Sequence, residues 1–146
     1  MIRKPQLSDT KDLVNLCRLF WEESLKEYGL KWNEEDATQT VINFIKTLKS
    51  LVIEKEGKVV GVVAGIVIPS FFNYRSKIFT EVIWYVKPEY RRYGLKLYAV
   101  LEQTLKNQDI DKITMINMSN SKAGKIGKFY QKKGYQFMET VWMKQL

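Results

Sequence analysis

The 146-residue sequence predicts an α+β fold in which a mixed, mostly antiparallel sheet of six to seven strands is flanked by about four helices. Three observations predict it. Apolar residues recur at helical spacing in four separate stretches, with strand-like stretches between them. The run Lys58 to Ile68 is almost wholly apolar and rich in Val and Ile, which fits a central strand buried on both faces. No repeat, low-complexity segment or linker interrupts the chain, so residues 1–146 read as one domain.

The elements follow in the order βααβββαβαβ, with room for one more strand at the end. Ile2 to Lys4 is a short first strand. Ser8 or Asp9 caps a helix whose Leu13, Leu16, Cys17, Phe20 and Leu25 fall at helical spacing, and Gly29 ends it. Asn33 caps a second helix with Glu34, Glu35 and Asp36 in its first turn, where the helix dipole favours acids. That helix continues through Val41, Ile42, Phe44, Ile45 and Leu48. Leu51 to Lys55 is a strand, and Glu56-Gly57 turns the chain into the apolar run. Pro69 to Lys77 reads as a loop carrying Phe71, Phe72, Asn73, Tyr74 and Arg75. Ile78 to Val86 is a strand, and Leu95 to Leu105 a helix with Leu97, Val100, Leu101 and Leu105 on one face. Lys112 to Asn117 is a strand, Ser119 to Lys122 a loop, and Ala123 to Lys133 a helix closed by Gly134. Tyr135 to Lys144 is β-rich and predicts one or two further strands.

Composition narrows the chemistry. The chain has no histidine and one cysteine, which argues against a zinc site, a disulfide framework and a His-assisted nucleophile. Any general acid or base must come from Asp, Glu, Tyr, Lys, a terminus or water. Cys17 lies on an amphipathic stretch and reads as a buried thiol. The start, Met-Ile-Arg-Lys-Pro, lacks the apolar core of a leader, and the run Val59 to Ile68 is too short to span a bilayer; a cytoplasmic protein with no membrane partner is expected. Of the net charge of +8, residues 1–40 contribute −2 and residues 41–146 contribute +10. A basic body suits a polyanionic cofactor, a nucleic acid or an acidic partner.

The most informative segment is Val86-Lys87-Pro88-Glu89-Tyr90-Arg91-Arg92-Tyr93-Gly94-Leu95-Lys96. A strand stops at a proline, two arginines and a glycine follow, and a helix begins. The first N–H groups of a helix lack internal partners and its dipole favours negative charge, so this junction suits a phosphate-bearing ligand. Arg91 and Arg92 add charged donors.

That segment, the aromatic pair in Phe129-Tyr130-Gln131-Lys132-Lys133-Gly134-Tyr135, and the late Trp142-Met143-Lys144 resemble the GNAT superfamily of acetyl-CoA-dependent N-acyltransferases. The resemblance runs nearly end to end in strand order and is sharpest over residues 78–146. It implies an N-acetyltransferase with acetyl-CoA as co-substrate and a small-molecule or peptide amine as acceptor. By the same resemblance, backbone groups near Trp84, Tyr85 and Val86 would hold the pantetheine arm. Arg91, Arg92, Tyr93, Gly94, Leu95 and Lys96 would flank the pyrophosphate. Tyr130 would protonate the leaving thiolate, and Glu81, alternating with Ile83 and Tyr85 on one strand face, would serve as base. Three positions depart from the family pattern. Lys96 stands where Gly or Ala is usual, Ala123 where Asn is frequent and Ile126 where Ala is frequent; Asn117, Ser119 or Asn120 would fill that Asn role.

Plainer readings stand beside these. Glu81 also reads as an edge charge, and Phe129 is the better core candidate beside Tyr130. Lys125, Lys128 and Lys132 share a helix face that is either solvated, near the coenzyme phosphates, or on a nucleic acid. The loop aromatics Phe71, Phe72 and Tyr74 are of a type that stacks on bases. The acidic, aromatic stretch Trp21, Glu22, Glu23, Glu27, Tyr28, Trp32 and Glu34 to Asp36 either lines an acceptor site for a cationic amine or decorates exposed helix faces. The rival function is a non-catalytic protein of this fold that binds nucleic acid or a protein partner through its basic face. A monomer or homodimer fits either.

Overall fold

The structure, a computed structural model, describes all 146 residues. Five strands form one sheet in the order β1 (Ile2–Arg3), β2 (Lys49–Lys55), β3 (Lys58–Ser70), β4 (Asn73–Val86) and β5 (Lys112–Thr114). The β1–β2, β2–β3 and β3–β4 pairs are antiparallel, and β4–β5 is parallel. Glu56 and Gly57 both take positive φ, the conformation a tight two-residue hairpin turn requires. Four α-helices accompany the sheet: α1 (Thr10–Phe20), α2 (Glu34–Thr47), α3 (Gly94–Lys106) and α4 (Ala123–Lys132). Past α1 the chain widens into a π turn over Trp21–Leu25, tightens into a 3₁₀ turn over Lys26–Tyr28, and ends at Gly29 in the left-handed region. Asn33 accepts the Asp36 N–H and caps α2 as its sequence predicts.

The sheet is covered on both faces. Leu13, Val14 and Leu16 of α1 and Val41 of α2 pack on Val52, Val59, Val62, Ala64, Ile83 and Tyr85. On the other face Leu97, Leu101 and Leu105 of α3 pack on Leu51, Ile53, Val60, Val63, Phe79 and Val86. The apolar run therefore is a central strand, with Val59 to Gly65 buried throughout. Gly65 is required by packing: a Cβ there would collide with the Phe79 ring and the Thr80 carbonyl.

Three expectations are corrected. The sheet has five strands, where six to seven were predicted. Residues 135–146 carry the apolar pattern of a strand but have no ladder partner, and Phe137, Met138, Val141 and Trp142 (90% exposed) project into solvent. A strand needs a neighbour as well as a pattern, and β5 contributes only three residues to the sheet. The loop expected over Pro69 to Lys77 shrinks to a turn at Phe71 and Phe72, because β3 and β4 extend as a hairpin arm almost to its tip. Few of these residues favour strands by themselves, and the arm is carried by the backbone ladder, in which Pro69 pairs with Lys77 and Ser70 with Asn73.

The third correction bears on the site. Ala64 pairs with Ile83 and Gly65 with Glu81, so Val82 is an extra residue on β4. Ile83 and Tyr85 belong to the core under α1 and α2, whereas Phe79, Trp84 and Val86 pack toward α3. Glu81 lies two residues from Phe79 in unbroken register and shares its face. It does not alternate with Ile83 and Tyr85 on one face, because the bulge resets the alternation between them.

Candidate active site

β5 pairs with β4 only over Ile78, Phe79 and Thr80. Beyond that point the two chains part, and the β5-side edge of β4 from Glu81 to Val86 has no strand beside it, while β3 occupies the opposite edge. The opening is bridged by side chains. Ile116, just past β5, donates its N–H to Glu81 Oε2 at 2.9 Å, and its carbonyl accepts the Tyr130 hydroxyl at 2.8 Å. One residue thus ties a carboxylate on the sheet to a phenol on α4.

Both groups are desolvated; each residue is 7% exposed. Burial pushes the Glu81 carboxyl up to about 7, partly offset by the Ile116 N–H, which favours the charged form. Burial, with the nearby Glu81 charge, also raises the Tyr130 phenol above its ordinary range. Tyr130 sits in an aromatic cluster: its ring centroid is 6.5 Å from Trp84 and 5.2 Å from Tyr135, and the Tyr98 hydroxyl donates to that of Tyr135 at 2.9 Å. Contrary to the sequence reading, Phe129 is only half-buried and Tyr130 is the buried member of the pair. The hydroxyl's partner at Ile116 is what allows a phenol to lie inside.

After Val86 the chain forms a 3₁₀ turn over Pro88–Tyr93, and Gly94 opens α3. Gly94 has φ −59° and needs no special backbone freedom. An added Cβ would meet Val86 at 3.8 Å and Trp84 at 4.0 Å, which are ordinary contacts, so no neighbour within the chain demands glycine here. Gly94 itself is buried and its N–H donates to the Arg91 carbonyl, while Arg91, Arg92, Leu95 and Lys96 around it are exposed. Trp84 and Tyr85 precede this turn on the edge of the opening; Leu95 and Lys96 are exposed on the first turn of α3.

The arginines are both engaged. Arg91 Nη2 donates to Glu23 Oε2 at 2.8 Å, and Arg92 stacks on Tyr93 while donating to its hydroxyl at 3.0 Å. Lys55 lies over the same Tyr93 ring, 4.2 Å from its centroid. Asn117 is spent on local structure, donating to the Ala123 carbonyl at 2.9 Å, where it steadies the start of α4. The neighbouring loop docks on the π and 3₁₀ turns through Asn120, which donates to Ser24 and Glu27, and through the Ser119–Tyr28 hydroxyl pair. Cys17 is half-buried against the α1 core and its thiol is pushed up to about 11, which makes it a poor nucleophile. No helix is long and apolar enough to cross a membrane.

Sequence reasoning gave Glu23 no partner and missed Ile116 and Val82. Glu23 appears in the sequence only as one acid among several; its Oε1 accepts the Tyr85 hydroxyl at 2.6 Å while Oε2 holds Arg91. Ile116 acts through its backbone, which no residue type signals. Val82, whose insertion sets the direction of Glu81, is equally silent.

The sequence profile of the acetyltransferase (GNAT) family matches residues 13–135. A search for relatives among curated proteins finds no match. Solved structures give extensive likeness in fold. A predicted acetyltransferase from Clostridium acetobutylicum, determined with acetyl-CoA, superposes with a TM-score of 0.72 at 19% identity, over 100% of this chain and 95% of that one. A ribosomal-protein-alanine N-acetyltransferase from Brucella melitensis biovar Abortus gives 0.74 at 15% identity, over 100% and 99%. An aminoglycoside acetyltransferase from an uncultured soil metagenomic sample gives 0.72 at 13% identity, over 100% and 97%. At such identities these likenesses establish the shared fold, and the profile match, spanning most of the sequence, establishes descent: the chain belongs to the GNAT family of acetyltransferases, acyltransferases that use acetyl-CoA.

Proposed function

We propose that this protein moves the acetyl group of acetyl-CoA to a primary amine by direct attack in a ternary complex. The observation that carries the reading is the meeting of Glu81 and Tyr130 at Ile116, at the mouth of the gap between β4 and β5. In this reading the free edge near Trp84, Tyr85 and Val86 takes the pantetheine arm as an added strand. The N–H groups around Arg92 to Lys96 take the pyrophosphate, with Arg91 and Arg92 as charged donors.

The chemistry then divides between two side chains. An ammonium must lose a proton before its nitrogen can attack the thioester carbon. Glu81, held at about 7, is matched to accept that proton near neutral pH. As the C–N bond forms and the C–S bond breaks, charge develops on sulfur. Tyr130, whose phenol stays protonated, suits donation of a hydrogen bond to that sulfur once its single O–H turns away from the Ile116 carbonyl. Asn117, committed to Ala123, supports the loop and is not assigned a donor contact. No enzyme-bound acyl intermediate is required, and Cys17 is no candidate for one. The acceptors named in two of the fold's relatives, a ribosomal-protein alanine and an aminoglycoside, are amines; they support the acceptor class and leave its members open.

A thermal-shift titration tests the donor site. Coenzyme A and acetyl-CoA are expected to stabilise the protein by about 2.7 kcal/mol at a hundredfold excess over their dissociation constants, and ATP much less. With an acceptor drawn from an amine panel, Tyr130→Phe is expected to lower kcat on the order of 100-fold with little change in KM for acetyl-CoA. Unchanged turnover would remove Tyr130 from the mechanism.

A further inference from the structure

We propose that Glu23 is a positioning residue of the donor site: an exchangeable counter-ion that holds the Arg91 guanidinium until the donor's phosphates replace it. The inference rests on the placement of the donor phosphates at the α3 start. It begins from the way one carboxylate is shared. Oε1 of Glu23 accepts the Tyr85 hydroxyl at 2.6 Å and Oε2 accepts Arg91 Nη2 at 2.8 Å. The three side chains come from three elements: the π turn after α1, strand β4, and the 3₁₀ turn that leads into α3.

The two halves of this arrangement differ in permanence. Tyr85 is buried, and its ring meets Phe20 edge-on at 6.2 Å between centroids, so the phenol is a fixed post that orients the carboxylate. The Arg91–Glu23 ion pair is half-exposed, with 43% and 39% of the two side chains accessible. Pairs of that exposure are worth about 0.2–1 kcal/mol, weak enough for a competing anion to displace. Only Nη2 of Arg91 is committed, and the remaining guanidinium donors are available to a phosphate. Arg91 is exposed on the turn just before α3, three residues ahead of Gly94.

The carboxylate therefore does two opposed things. It keeps Arg91 from wandering, which preserves a positive group at the mouth of the site. It also subtracts from the positive field that a pyrophosphate would meet. The π turn that follows α1 carries Glu23 between Tyr85 and Arg91, and such turns recur at functional positions.

The test is the affinity for coenzyme A, measured by calorimetry on the full chain in the wild type, Glu23→Gln, Arg91→Gln and the double variant. Glutamine keeps an acceptor for Tyr85 and removes the charge. Glu23→Gln is expected to bind coenzyme A about two- to fivefold more tightly, the free energy of the released pair read as affinity. The gain should shrink as salt is raised and should vanish in the Arg91→Gln background. Unchanged or weaker binding by a folded Glu23→Gln protein would overturn the proposal. So would a gain that persists without Arg91, because it would belong to the general field. Tyr85→Phe, which leaves the charge and frees the carboxylate to turn, guards against a folding defect in Glu23→Gln: it should alter affinity only where Arg91 is present. Failure of all four proteins to bind coenzyme A would instead overturn the donor reading itself, and this inference with it.

Discussion

The central sheet and the last forty residues are built on different terms. Strands β2, β3 and β4 are layered between two helical faces, and Val52, Val59, Val63 and Phe79 are sealed from solvent. From Asn107 onward the chain contributes a three-residue strand, one ten-residue helix with a single buried residue, and an end segment without secondary structure. Of the two candidate catalytic groups, one comes from each region. Glu81 stands on the rigid part, and Tyr130 is held by a backbone carbonyl and aromatic neighbours. The difference teaches that one wall of the cleft is fixed by core packing and the other by a few local contacts, so substitutions in the two regions should behave oppositely.

Glycines test that contrast most directly. Gly65→Ala in the central strand should cost about 3 kcal/mol by urea denaturation, because the new methyl meets the Phe79 ring and the Thr80 carbonyl across the sheet. A cost below 1 kcal/mol would show that the sheet yields more than its packing suggests.

Glu81→Gln probes the junction of the regions, and its effect depends on pH. A carboxyl raised from 4.5 to about 7 on folding binds its proton more tightly in the native state than in the unfolded one. Wild-type stability should then fall as pH rises through that window, with a cost above it of about 3 kcal/mol. The neutral glutamine keeps an acceptor for the Ile116 N–H. The variant should match the wild type below the window and exceed it in stability above it. Its kcat/KM should also lose the limb that rises near pH 7. A variant no more stable at pH 8 than the wild type would place Glu81 in a wetter setting than its burial implies.

The smallest effect is expected at Gly124, where an added Cβ meets nothing within 4 Å. Gly124→Ala should raise thermal stability by about 0.5–1 kcal/mol through helix propensity alone. A loss instead would reveal an unseen partner on the open side of α4.

The sequence was most legible where a local rule acts alone. Asn33 caps α2 with Glu34 to Asp36 behind it, Glu56-Gly57 makes the hairpin, and the apolar run from Lys58 is the central strand. The motif around Gly94 marks the helix start that the structure confirms, and the profile match bears out the family that the motif suggested. What escaped depends on partners distant in sequence. Whether Tyr135 to Lys144 forms a strand is decided by what lies beside it, and the pattern of apolar residues carries no information on that. Arg91 reads as free for an anion until Glu23, 68 residues earlier, is seen to hold it. Phe129 and Tyr130 both fit the inside of a helix, and the Ile116 carbonyl selected the phenol.

The extra residue on β4 has a consequence for parity. In an unbroken strand odd positions share one side and even positions the other. Here odd Phe79 and Glu81 look the same way as even Trp84 and Val86, while odd Ile83 and Tyr85 look the other way. Val82 is thus a half-period slip, and it gives a single strand two incompatible numbering rules. Pairing β4 with β3 without the bulge, every residue kept, would put both halves under one rule. It would force either the carboxylate of Glu81 among Leu13 and Val14, or Trp84 and Val86 away from α3. The spacing between these side chains is for that reason inseparable from their chemistry.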